Sequence, residues 1–443
     1  MKRTRRNSII VLITLVVLLI ISIQPVDYTV FTEQDYFKKT QSHIQSLNFD
    51  PVKENFTTGW SKSSITPEKP VRLTGLRFNP YESIADSIWI KTFIIASKED
   101  TIALITYDLW IIHPHLSKYL QKEIKNRIPS INAIYFSATH THSSIGGWAS
   151  GALGQLIVGG NHEETLEFIG DQTISSLKKS ISNLEETIIS YGRASTYGLV
   201  VNRLDRENGP VDSFIRYLLF EHKSGKKAIY STFSAHTVFL SKDKNNLSAD
   251  YPGLFLLKMQ QADSLDLASF AAGAMGSHTP IIENRDDSYT AMELYSGKLA
   301  EFYINSTPDS QDSMLNVNFQ TIPVSIPSPQ FRISENWRLR PWIFEGLLGT
   351  TSASITCLQL GNVLMVGLPI ELSGEFYQDL ESKAQKKGFH LMITTFNGTY
   401  LGYAPRNTYY NEVKKAETRS MNWYGPYSGE YFSSLIEEII HRL

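Results

Sequence analysis

From about residue 71 onward, runs of apolar residues alternate along the chain with stretches whose apolar positions recur every three or four residues. The runs IALITYDLWII (102–112), INAIYFSA (131–138), KAIYSTFSA (227–235), LASFAAGA (267–274), SITCLQL (354–360), NVLMVGLP (362–369) and HLMITTF (390–396) read as strands with little exposed surface. Between them, 116–127, 164–184, 291–304, 372–387 and 430–442 read as helices. This alternation predicts an α/β fold, a layered domain with a central, mostly buried mixed β-sheet flanked by helices. No internal repeat or low-complexity tract interrupts it.

The N-terminus follows a different pattern. MKRTRRNS is basic, and IIVLITLVVLLIISI (9–23) carries no charge. No small-x-small cleavage site follows in IQPVDYTV, so residues 1–27 read as a signal-anchor or transmembrane segment rather than a cleaved leader. The basic flank stays in the cytoplasm, which puts the rest of the chain on the exported side, periplasmic or extracellular. Secretion after signal cleavage is the alternative. Residues 28–70, polar and irregular, are expected to form a stalk, and 71–443 the folded body.

Composition narrows the function. Lys+Arg 42 against Asp+Glu 44 leaves no basic excess to hold a nucleic-acid backbone, so no nucleic-acid partner is expected. Cys357 is the only cysteine and lies in an alternating apolar stretch, which excludes an intramolecular disulfide and reads as a buried strand thiol.

Polar residues follow the apolar runs. THTH comes after 131–138, His236 after 227–235, MGSHTP after 267–274, Ile370-Glu371 after 362–369 and NGTYLGY after 390–396. In α/β sheets the crevice beyond such strand ends is where sites form. His140 and His142, one residue apart in a Ser- and Gly-rich turn, can face one site if the segment is extended. His113 and His115 share the spacing but flank a proline at a helix start and read as capping or surface residues. Asp250, in SADYPG, reads as a helix cap with some support for the site. Glu371 is a carboxylate expected at a helix start. Two histidines and a carboxylate from separate strand ends suit catalytic zinc, which keeps one position open.

These residues resemble the catalytic domain of the neutral/alkaline, non-lysosomal ceramidases, a zinc-dependent amidase family. SATHTHSSIGG resembles the family's THTHSGPGG-like loop, VVNR its NRS segment and GPVDSFIRYLLF its VDxxxxxLxF strand. FSAHT matches its second zinc histidine and SADYPG a following loop; GAMGSHTP, GLPIE and YLGYAP match its GD-x-S-P, PGE and YxGY segments. The resemblance implies that His140, His236, Glu371 and Tyr403 bind zinc and that His142 moves a proton beside it. Arg203 and a tyrosine, Tyr424 with Tyr427 as competitor, would orient the amide and stabilise its oxyanion.

Two departures qualify the resemblance. Thr279 stands at the family's serine and Ser277 at its acid, so the hydroxyl is kept but crowded by a methyl. The chain also ends shortly after the catalytic domain, whereas long ceramidases continue into a C-terminal β-rich domain. The expected function is zinc-dependent hydrolysis of the N-acyl amide of ceramide or a related N-acyl lipid, at a membrane. A zinc amidase or esterase for another acylated molecule, or a degenerate lipid- or metal-binding surface protein, are the alternatives.

Overall fold

The computed structural model describes residues 7, 14, 20–49, 52–75, 77, 79–98, 100–241, 245–283, 287–312, 315–348 and 352–443. Two mixed sheets form its centre. The larger runs in the order Leu267–Ala272, Lys227–Phe233, Phe214–His222, Glu185–Ser195, Thr57–Ser64, Trp89–Ala96, Thr101–Tyr107, Ala133–Ala138, with Pro308–Asp312 added beside Glu185–Ser195. The smaller orders Val52–Glu54, Leu315–Val324, Ala353–Leu360, Val363–Gly367 and His390–Thr394. A single sheet was expected. The apolar runs do not distinguish the two cases, because a strand buried on both faces reads the same whether helices or a second sheet cover it.

Alternation of side chains decides which face meets what. Ile94, Ala103 and Ile105 pack outward with Leu120, Ile169 and Leu177 of the helices Pro114–Arg127 and Glu163–Ser182. Phe93, Ile102 and Leu104 point inward and join Leu358, Met365 and Met392 of the smaller sheet. The outer face of that sheet, with Ile355, Cys357 and Val366, is covered by Tyr377–Lys386 and Ser428–Arg442. The larger sheet curls enough for Tyr230 Oη to reach Ser137 Oγ at 3.2 Å, across strands far apart in its order.

Residues 28–70 are not a stalk. Asp35–Ser46 is a helix that contacts Ser428–Arg442, and Thr57–Ser64 is an interior strand of the larger sheet. TTGWSKSS looked like a loop because its interior contacts are hydroxyls: Ser61 Oγ donates to Ser176 O at 2.7 Å, and Thr58 meets Thr187 at 2.7 Å. Gly59 is required there, since a Cβ would sit 2.0 Å from Ser180 O of the helix crossing it.

The expected anchor lies outside the described residues through residue 19, apart from Asn7 and Thr14. Its end, Ile23–Pro25, is a strand paired antiparallel with Trp337–Leu339. Among the described residues no helix is long and apolar enough to cross a membrane.

Candidate metal centre and adjoining cavity

Parallel strand pairs aim their C-terminal ends at one place. After Ala133–Ala138 the chain enters His140 in left-handed backbone, φ 63°, a conformation imposed on a Cβ-bearing residue only by its surroundings. Leu109 O holds its amide, and its ring stacks on Phe396 at 4.2 Å with planes 8° apart. His236 follows Lys227–Phe233. Its loop is tied to the first by Thr237 Oγ1, which donates to Thr139 O at 2.8 Å.

The outer nitrogens fix the tautomers. His140 Nδ1 is 2.8 Å from Trp110 O, and His236 Nδ1 is 3.1 Å from Met275 O. A carbonyl only accepts, so each Nδ1 carries the proton and each neutral ring presents a bare Nε2. Burial, and after it the neighbouring histidines and Arg203, hold both imidazoles well below their usual pKa; burial and Arg203 hold His142 down to about 3. Yet the Nε2 atoms of His140 and His236 face each other at 3.2 Å, and that of His142 lies 3.3 Å from His140's. Lone pairs so close repel, and a cation among them removes the conflict.

Glu371 closes the cluster. Its Oε1 lies 3.1 Å from His236 Nε2 and 3.9 Å from His140 Nε2, and it is a buried oxygen with no hydrogen-bond partner of standard geometry, the Tyr403 hydroxyl also facing the carboxylate. Tyr400 donates to Oε2 at 3.1 Å, while burial pushes the carboxyl up to about 8. Tyr403 Oη stands 3.0 Å from His236 Nε2. Imidazole nitrogens with an unpartnered carboxylate oxygen form a donor set suited to a divalent ion, so these residues fit a metal. The expected helix start at Glu371 is corrected: Glu371–Leu372 is a strand paired with Tyr403–Ala404, because the Glu371 amide donates to Gly402 O. The first helical turn begins at Gly374.

Arg203 borders the cluster. Its Nη2 is 2.9 Å from Gly276 O and 3.4 Å from His236 Nε2, and its Nε is 2.6 Å from Glu417 Oε1. Thr279 lies half-buried in the strand His278–Pro280, opposite Val201 and so two residues from Arg203 along the neighbouring strand. Ser277 has another task. Asp212 N–H donates to His278 Nε2 at 2.8 Å, so His278 Nδ1 carries the proton that meets Ser277 Oγ at 2.7 Å. Ser277 also hydrogen-bonds the Glu375 carboxylate. Its hydroxyl therefore has no base to take its proton except Glu375, and it locks the loop.

Tyr424 is not among the cluster's contacts. It lines a cavity of about 690 Å³ with Phe344, Tyr400 and Trp423, and Tyr427 packs near Phe31. His113 accepts from the amide of His115 at the start of Pro114–Arg127, as a cap. Asp250 opens the helix Asp250–Asp263 and accepts from the amides of Tyr251 at 2.7 Å and Leu240 at 2.9 Å, tying the helix to the segment after His236.

Sequence reasoning missed Trp110, Phe396, Tyr400 and Glu417. Tyr400 and Phe396 sat in or beside the NGTYLGY segment, which pointed to them; Trp110 and Glu417 contribute a carbonyl and a distant ion pair, which leave no local signal. A second cavity, about 680 Å³, adjoins the cluster and is lined by Trp110, Trp148, Ile157, Leu348, Tyr400 and Trp423 among others. Trp110 belongs to both, its ring 5.3 Å from that of His142.

Residues 81–288 match the model of the neutral/alkaline non-lysosomal ceramidase N-terminal domain. The chain is similar to the neutral/alkaline ceramidases. A neutral ceramidase of Pseudomonas aeruginosa is 25% identical over 182 residues, 37% of this chain and 27% of that protein. The crystal structure of neutral ceramidase from Pseudomonas aeruginosa superposes with a TM-score of 0.72 at 16% identity, covering 88% of this chain and 75% of that one. A ceramidase complexed with C2 gives a TM-score of 0.69, also at 16% identity, over 87% and 75%. The matched stretch holds His140, His142, Arg203, His236 and Thr279, whereas Glu371 and Tyr403 lie beyond it and join the site through the fold.

Proposed function

We propose that the chain is a zinc-dependent amidohydrolase that cleaves the N-acyl amide of ceramide or a related N-acyl lipid to a fatty acid and a sphingoid base or amine. The observation that carries this reading is the set of bare imidazole nitrogens and unpartnered Glu371 Oε1 at the edge of an apolar cavity. His140, His236, Glu371 and Tyr403 would hold the ion, with His142 close enough to join or to serve the proton transfer. Zinc there would supply Lewis acidity toward the amide carbonyl and activate water near neutral pH.

The chain's own residues do the remainder. Arg203 stays cationic and offsets negative charge that develops on the carbonyl oxygen. His142, neutral with its pKa held low, is a weak base but a strong acid once protonated, so it holds a proton only in passing on its way to the departing nitrogen. Tyr400 fixes the Glu371 carboxylate through Oε2 and leaves Oε1 free. The cavity beside Trp110 has the apolar lining that suits an acyl chain. The basic and then apolar N-terminus supports anchoring to a membrane, with the body on its exported side.

The test is fatty-acid release by the full chain from ceramide, a short N-acyl amide and an ester, before and after chelation and zinc repletion. Release from ceramide, lost on chelation and restored by zinc, is expected. Release from the short amide or ester alone would move the substrate to another acylated molecule. Zinc retained without release from any of the three would make the chain a binding protein.

A further inference from the structure

The cavity of about 680 Å³ lies between two short helices, Gly151–Val158 and Pro341–Leu348, which touch each other and present apolar side chains outward. Trp342 is 60% exposed, Leu156 and Leu347 each 46%, while Ile157 and Leu348 of the same helices line the cavity. Leu347 is both exposed and part of the cavity lining, so the exposed face reaches the rim of the cavity. Isolated apolar residues on a surface are ordinary, but several on two touching helices beside an apolar cavity mark an interaction site.

The path of the chain indicates what covers it. Arg340, just before the second helix, donates its amide to Ser22 O at 2.9 Å and its guanidinium to Ile20 O at 3.3 Å. Ile20 is itself 61% exposed. Ile20 and Ser22 are thus held at Arg340, two residues before Trp342 in sequence, and the residues that precede Ile20 in sequence are the uncharged IIVLITLVVLL (9–19) and the basic MKRTRR. A partner able to take the apolar run, the tryptophan and the leucines together is a lipid bilayer, whose interfacial zone accepts Trp and apolar side chains.

We propose that the face formed by Trp342, Leu347, Leu156 and the Ile20 end of the N-terminal segment docks on a lipid bilayer, so that the cavity opens toward the membrane and takes an acyl chain from it. This deepens the function proposed above and rests on it for the identity of the ligand, not for the docking. An N-acyl lipid is sparingly soluble in water, so direct transfer from the bilayer spares its chain an aqueous passage.

The test uses the full chain in phosphatidylcholine–phosphatidylglycerol vesicles that contain a nitroxide-labelled lipid. A fluorophore is placed at Trp342→Cys, or at Ile188→Cys on the rim of the polar pocket beside Glu221 and Lys223; the native Cys357 is buried and stays unlabelled. Quenching several-fold stronger at position 342 than at 188 is expected. Equal, weak quenching at both positions overturns the proposal, as does energy transfer between position-342 labels on different chains without lipid quenching, which would make the face a contact between copies. A Trp342→Gln/Leu156→Gln chain should turn over a vesicle-embedded N-acyl lipid several-fold more slowly and a short soluble amide at the unchanged rate. Quenching at 342 without hydrolysis of any substrate would keep the docking and refute the hydrolase reading, whereas hydrolysis without quenching would do the reverse.

Discussion

The histidines of the candidate metal centre stand on the larger sheet, whereas Glu371 and the tyrosines stand on segments that continue from the smaller one, and the two walls are built differently. On the histidine wall the supports are main-chain carbonyls: Trp110 O and Met275 O take the Nδ1 protons of His140 and His236. On the carboxylate wall the support is a side chain, the Tyr400 hydroxyl on Glu371 Oε2. Carbonyls held by strand ends keep their place when a side chain changes, but a tyrosine hydroxyl can be deleted alone. Among side chains that touch the ligand atoms, metal binding on the histidine wall should therefore respond to loss of the imidazoles themselves, and on the carboxylate wall also to loss of the orienting partner.

The largest effect is expected from His236→Ala, which removes the nitrogen that meets His140, Glu371 and Tyr403; metal content should fall to background by elemental analysis, and hydrolysis with it. Next is the foundation of the histidine wall. Lys91 Nζ holds the buried Asp108 carboxylate at 2.7 and 2.8 Å, and Asp108 O in turn accepts from Ser144 Oγ in the histidine loop. Lys91→Met leaves that carboxylate without its cation and should lower stability by about 3–5 kcal/mol in chemical denaturation. Tyr400→Phe strips only the orienting bond from the carboxylate wall, and metal affinity should drop roughly 10–100-fold by competition with a chelator while stability changes little. Tyr424→Phe should be smallest, altering turnover by less than about 0.5 kcal/mol in activation free energy, since the ring faces the neighbouring cavity. An effect of Tyr424→Phe as large as that of Tyr400→Phe would place a catalytic hydroxyl where none of the contacts described here puts it.

The two walls also differed in how far the sequence revealed them. THTH, FSAHT and GLPIE follow long apolar runs, so a reading based on strand ends finds His140, His236 and Glu371 together. The helix start expected at Glu371 fails because an apolar run followed by a carboxylate looks the same whether the next pairing is a helical turn or, as here, a ladder with Tyr403–Ala404. The second sheet left no mark in the pattern, since Leu358 and Met365 read as buried whatever lies opposite. The strand Thr57–Ser64 is hidden by its chemistry: its neighbours are met through Ser, Thr and Gly, so its polarity does not mean exposure. Ser277 is the converse case. Its place in the motif suggested a lost acid, and only the structure shows its hydroxyl bound between His278 and Glu375.

The most direct measurement is the zinc content of the full chain after chelation and repletion, made beside His236→Ala and Glu371→Ala, with circular dichroism to confirm that all three are folded. About one zinc per chain, lost in both variants, is the result predicted for a centre built from both walls. A folded chain that takes up no zinc, or uptake that survives both substitutions, would contradict it.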